Sequence, residues 1–196
     1  MCLSAMHPEP AREKESKAGR RHTMSRLLRH LAAIALLPFV VTVVVPTWLA
    51  RQNGVTLGVS RNAVGIFGQG IGVILIAIGL TLFVASLRRF ATEGEGTLAP
   101  WDPPRRLVLR GPYRYVRNPM ISGVVFVVFG EALLLSSTAH LEWALLFLGM
   151  NLVYIPLLEE PQLKRRFGSE YGEYCRHVPR IFPRFRAWQR DDAGVA

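Results

Sequence analysis

Cysteine is nearly absent from this chain, with Cys2 and Cys175 the only two among 196 residues. They lie far apart and have no metal-ligand spacing, so a disulfide framework and a thiolate metal site are both excluded. They read as free thiols of a reducing compartment. Histidine offers no metal site either, because His140 and His177 stand singly without ligand-like spacing. Acidic residues are scarce: 14 Asp and Glu face 24 Lys and Arg, a formal charge of +10. Most telling is the lack of charge inside the long apolar runs. These runs are apolar on all sides, without the stripe of period 3.6 that marks a helix lying on a soluble core. Such a pattern suits lipid.

Four runs are long enough to be considered as spans: residues 31–50, 65–87, 121–136 and 141–158. A bilayer core needs roughly 20 helical residues, with about 17 as the lower bound. The last two runs are short and nearly abut, with residues 137–140 between them, so they are expected to form a tight helical hairpin. The basic residues fill the segments between the spans. One group runs from Arg12 to Arg29, a second from Arg88 to Arg117, and a third from Lys164 to Arg190. The 51–62 loop holds two basic residues and the hairpin turn none. With four spans every basic segment falls on one side, which puts both termini in the cytosol. Anionic headgroups and this bias account for the basicity, so no nucleic-acid partner is invoked.

The first span is read as an uncleaved anchor, since its run is long and Trp48 suits the −3 position of a cleavage site poorly. The expected organisation is a disordered basic extension over 1–26 and two N-terminal spans over 27–90. A core of loop, hairpin and C-terminal helix follows over 91–186, with a tail over 187–196. Met24 is an alternative translation start. Pro38 and Pro46 should bend the first span, their freed carbonyls being satisfied by neighbours. In GQGIG, Gly68, Gly70 and Gly72 are not at a strand–helix junction and read as close helix packing rather than a nucleotide loop.

Candidate chemistry gathers at the cytosolic ends of the hairpin. The loop 94–120, rich in Gly, Pro, Arg and aromatics, should be ordered but non-helical, apart from a possible short amphipathic stretch at 107–109. It ends in Arg117-Asn118-Pro119, where Asn is a favoured helix cap and Pro a favoured first residue. One reading is that those residues simply start the helix. They also offer a seat for an anion, a helix N-terminus beside Arg117. At the other end of the hairpin stand Glu159 and Glu160, two carboxylates that are costly at the edge of an apolar run unless solvated or paired. An antiparallel hairpin brings the two ends together. An arginine facing a carboxylate pair suits a zwitterion such as the amino-acid part of S-adenosylmethionine, whose sulfonium adds a positive charge. Leu163, Phe167, Tyr171 and Tyr174 recur at helical spacing and define an amphipathic helix that packs on the hairpin or the headgroups, or closes over a cofactor. Val178-Pro179-Arg180 ends it. Glu131, expected about 15 Å into the third span, is either functional or a protonated group hydrogen-bonded to Asn151.

GPYRYVRNPMISG, then a hydrophobic hairpin, then EEPQLKRRFGSEYGEYCRHVPR resembles the isoprenylcysteine carboxyl methyltransferase and phospholipid methyltransferase superfamily over about residues 94–183. The resemblance implies an all-α integral membrane protein of about four transmembrane helices, with a C-terminal hairpin and a cytosolic amphipathic helix. It also implies S-adenosylmethionine as cofactor and a lipophilic or lipid substrate, as in a bacterial-type member in the plasma membrane. By that resemblance Tyr113, Arg117, Asn118, Pro119 and Gly123 line the cofactor site, and Glu159 and Glu160 match the glutamate pair that helps hold it. No catalytic base is singled out. The superfamily often has Arg-His-Pro-x-Tyr, whereas Asn118 and Ile121 occupy the His and Tyr places here. Ile155 stands where the isoprenylcysteine enzymes commonly carry an Arg, which points to another lipid or hydrophobic small molecule as methyl acceptor. Two other readings remain: an NADPH-dependent sterol-type reductase, whose tail is similar but usually has Arg-Asp for Glu-Glu, and a non-enzymatic membrane scaffold.

Overall fold

A computed structural model describes residues 36–60, 62–93 and 107–189. The expected N-terminal extension, the Met24 start, Cys2, most of the loop before residue 107 and the last residues of the tail lie outside the described residues. The described residues are helical, with no strand among them. Helix α1 is Leu36–Gln52, α2 is Ala63–Glu93, α3 is Pro119–Leu135 and α4 is Thr138–Tyr154. A wider π-type turn, Ile155–Glu159, carries α4 into α5, Glu160–His177.

Two stretches are long and apolar enough to cross a bilayer, Ala63–Arg89 and Thr138–His177. Only 17% and 11% of their most apolar windows are buried, the reverse of a core helix in a soluble protein. Side chains such as Phe67, Ile74, Leu146 and Leu157 face outward at more than half exposure. A contiguous apolar surface of this kind has lipid as its natural solvent. Helices α1 and α3 are apolar but shorter.

What draws the helices together is small residues and hydrogen bonds from side chains to backbone carbonyls, because lipid provides no hydrophobic drive between them. Along α2 and α3, which run antiparallel, Gly72 lies on Gly130 and Gly79 on Gly123. A Cβ at Gly72 or Gly79 would stand 2.7 or 2.6 Å from the carbonyl oxygen of the opposite glycine. Gly68 and Gly70, expected to pack closely as well, have nothing within 4 Å of a Cβ. Gly70 lies on another side of α2, and Gly68, one turn before Gly72, has no neighbour that close, so of the GQGIG glycines only Gly72 makes the contact.

Helix α1 shows how its prolines are accommodated. Val40–Val44 is a π-type segment in which the Val45 N–H donates to the Val40 carbonyl, five residues back. In that register the Val41 carbonyl needs the N–H of residue 46, which Pro46 lacks. The indole Nε1 of Trp143 supplies the donor from α4 at 3.1 Å. Close by, fully buried His140 bonds the Pro46 carbonyl through Nε2 at 3.1 Å and Ser137 Oγ through Nδ1 at 2.8 Å. The carbonyl freed by Pro46 is thus satisfied by a neighbouring helix, as expected from the sequence, while the one that Pro38 frees lies outside the described residues.

The hairpin is tighter than expected: only Ser136 and Ser137 separate α3 from α4, and Ser136 turns the chain with φ of 48°. Glu131 consequently sits about 18 Å from the start of α3 and about 6 Å from its end, nearer the turn than the middle. Its expected bond to Asn151 is absent. The Asn151 amide donates to the Phe147 carbonyl one turn back at 2.8 Å, and Glu131 Oε2 is buried without a partner among the described residues.

Candidate functional site

The site lies where α3 begins and the α4 apolar run ends at Leu158. Gly111 at φ of 59° and the short turn Gly111–Arg114 lead into Tyr115 and Val116, and α3 starts at Pro119. Asn118 holds the cap position, but its side chain makes no capping bond and instead leans on the Arg180 carbonyl at 3.5 Å. The chain after α5 runs back along this approach and is knitted to it. The N–H groups of Arg117 and Asn118 donate to the carbonyls of Pro179 (2.8 Å) and Arg180 (3.2 Å). Those of Arg184 and Trp188 donate to Tyr115 (3.0 Å) and Arg114 (2.9 Å). Ser122, fully buried, donates to the Ile181 carbonyl.

Helix α5 does not run as one amphipathic rod. Gly168, at φ 55° and ψ −130°, breaks it in a region that L-residues avoid. Past the break Tyr171 and Tyr174 are buried with Val178 against Leu107, Leu109, Leu163, Phe167 and Trp188. Core packing therefore takes up the aromatic stripe, and the 107–109 stretch is non-helical chain that packs into that cluster. The Tyr174 hydroxyl donates to the Tyr113 carbonyl at 2.6 Å, fixing the turn before α3.

Charged groups converge from three segments. Arg117 Nη1 donates to Glu160 Oε1 at 2.7 Å and to Cys175 Sγ at 2.9 Å. Arg180 donates to the same carboxylate in a fork, Nε to Oε1 at 2.6 Å and Nη2 to Oε2 at 2.9 Å. Burial alone would raise the Glu160 pKa, but the Arg180 hydrogen bonds and the two guanidinium charges outweigh it and hold this carboxyl below its ordinary range. Its neighbour behaves in the opposite way. Burial, and then the charge on Glu160, push Glu159 up to about 7. Among the described residues Glu159 has no hydrogen bond or ion pair. Burial and the Glu159 charge together raise the Tyr113 phenol, so these two groups are near neighbours. Adjacent residues on a helical turn point in different directions, and this one, between Pro156 and Pro161, directs Glu160 at the arginines.

Of the residues expected at a cofactor site, the structure brings Arg117 and Glu160 into contact and places Tyr113 near Glu159. Asn118 lies beneath the returning chain at Arg180. Pro119 is fully buried, and Gly123 closes on Gly79 of α2. The spacing did not reveal Arg180 or Cys175 as members of the cluster. Arg180 reads in sequence as part of a helix stop, and only the backbone pairing of 179–188 with 114–118 brings it in. An open cleft of about 470 Å³ borders the cluster, lined among others by Pro156, Glu160, Lys164, Tyr171 and Cys175.

Arg117 keeps one further feature: its Nε is buried and has no partner among the described residues. The arrangement thus pairs an orphaned guanidinium donor with an uncompensated carboxylate at Glu159.

Comparison with known proteins yields one family: the model for phospholipid methyltransferase matches residues 67–170, just over half of the chain. No curated protein and no solved structure matches it. The matched stretch contains α3, α4, Arg117 and both glutamates, and stops before Tyr171, Tyr174, Cys175 and Arg180.

Proposed function

Because the chain belongs to the phospholipid methyltransferase family, we propose that it is an S-adenosylmethionine-dependent methyltransferase acting on a lipophilic, membrane-embedded substrate at the cytosolic membrane face. Methyl transfer to lipid-type substrates is the chemistry of that family. The observation that carries the finer reading is the contact of Arg117 with Glu160, from opposite ends of the hairpin, beside a Glu159 unpaired among the described residues.

The residues present fit the cofactor's chemistry. An amino-acid moiety has a carboxylate and an ammonium, and S-adenosylmethionine also carries a sulfonium. The buried Arg117 Nε is a donor of the kind a carboxylate needs. Glu159, next to Tyr113, is an anion of the kind a cation needs, and it is ionised above about pH 7. When bound, the cofactor supplies an electrophilic methyl group. The protein's own part is to hold the two reactants in line and exclude water, so positioning is the main source of rate. Ile155, one turn before the glutamates, is fully buried in the core and offers no cation for a substrate carboxylate. This supports an acceptor other than a prenylcysteine carboxylate.

For topology, we read α1 to α4 as four spans with both termini cytosolic, in the plasma membrane of a bacterial cell. The basic residues at the α2 end, before α3 and along α5 then share one side. Residues 27–90 form the N-terminal spans and 91–186 the methyltransferase-like core.

The test is calorimetric titration of the detergent-purified chain with S-adenosylhomocysteine and, separately, NADPH. Micromolar binding of S-adenosylhomocysteine alone is expected, lost in Glu159→Gln/Glu160→Gln with folding intact. Binding of NADPH alone would favour the reductase, and binding of neither the scaffold.

A further inference from the structure

We infer that Arg180 is a positioning residue of this site, holding Glu160 between two guanidinium groups so that the two glutamates serve opposite poles. This rests on the methyltransferase reading above. Both oxygens of Glu160 are occupied: Oε1 accepts from Arg117 and Arg180, and Oε2 from Arg180. Two guanidinium groups over one carboxylate leave a net positive charge. Glu160 therefore belongs to the pole that receives an anion, where it aims Arg117 and is no seat for a cation. Glu159 is left as the carboxylate that meets a cation, either the ammonium or the sulfonium of the cofactor.

Arg180 does this from outside the residues that match the family model. Its backbone carbonyl accepts from the Asn118 N–H, and the preceding carbonyl accepts from Arg117, so one short segment fixes the start of α3. Its side chain reaches from that segment to the start of α5. The fork is a geometry that a lysine cannot reproduce. Without Arg180, Glu160 would pull on Arg117 alone, and the Arg117 side chain would no longer be braced.

The experiment uses the full chain in detergent, titrated with S-adenosylhomocysteine, with thermal unfolding recorded for each variant. Arg180→Gln should weaken binding roughly tenfold or more, the range expected for hydrogen bonds to a charged group. Arg180→Lys should recover part of that loss. In the Glu160→Gln background Arg180→Gln should cost little more, because it acts through Glu160. Wild-type affinity in Arg180→Gln, or losses that multiply in the double variant, would overturn the assignment. A second readout follows the Glu160 carboxyl by carbon-13 NMR against pH. Its midpoint should rise in Arg180→Gln, because the fork that holds it down is gone, and an unchanged midpoint would refute the clamp. Should the wild-type chain not bind S-adenosylhomocysteine at all, the methyltransferase reading fails. The carboxyl titration would still decide whether Arg180 holds Glu160.

Discussion

Replacing Gly79 by alanine tests the account of how α2 and α3 fit together, with a control in the same helix. The added methyl carbon would stand 2.6 Å from the Gly123 carbonyl oxygen, 2.9 Å from Val127 Cγ2 and 3.0 Å from the Val127 nitrogen. Two of these three obstacles are backbone and cannot rotate away. Relief requires the helices to part by about half an ångström or more, which also loosens the Gly72–Gly130 contact one heptad along. Overpacking of this kind costs about 1–3 kcal/mol. Gly68→Ala and Gly70→Ala meet nothing within 4 Å. They gain helix propensity of up to about 1 kcal/mol on a soluble scale, so they should be neutral or slightly stabilising. The assay is thermal unfolding of the full chain in one detergent, with near-ultraviolet dichroism as the probe. Equal stability of Gly79→Ala and Gly68→Ala would refute the reasoning. Gly123→Ala adds a functional discrimination. If Gly123 acts through the helix contact, Gly79→Ala should impair cofactor binding as much as Gly123→Ala does. A much larger loss in Gly123→Ala would mean that this glycine lines the site itself.

Glu160 also sets a pH dependence. Its folded pKa lies below the unfolded value, so its contribution is complete above the unfolded pKa of about 4.3 and is lost as pH falls through the folded value. The melting temperature should drop on acidification below about pH 5, and Glu160→Gln should flatten that limb of the profile. Trp143→Phe should destabilise by about 1 kcal/mol by orphaning the Val41 carbonyl. Pro46→Ala restores a backbone donor and should shrink the penalty in the double variant, whereas strict additivity in unfolding would argue against that bond. Tyr174→Phe removes a hydroxyl that donates at 2.6 Å to the Tyr113 carbonyl. About 1 kcal/mol of stability should go, together with part of the S-adenosylhomocysteine affinity, and unchanged binding would separate this bond from the site.

The place of the apolar helices was legible in the sequence because continuous apolar length is a demand that composition alone can meet. The start of α3 at Asn118-Pro119 was legible for a local reason, since Pro fits the first helical turn. So was the need of Pro46 for an outside donor, a consequence of its missing N–H. The identity of that donor was not, because nothing local marks Trp143 as facing Val41. The same division runs through the site. That Arg117 and the glutamates share one end follows from a short hairpin being antiparallel. Which glutamate faces the arginines depends on how a π-type turn between Pro156 and Pro161 rotates the helix, and that rotation is a matter of register. Arg180 enters through backbone pairing between segments more than 60 residues apart in the chain, a contact that no periodicity encodes. The glycines divide in the same way. Gly68, Gly70 and Gly72 look alike along the chain, and only the place where α3 packs makes Gly72 matter and leaves the other two open.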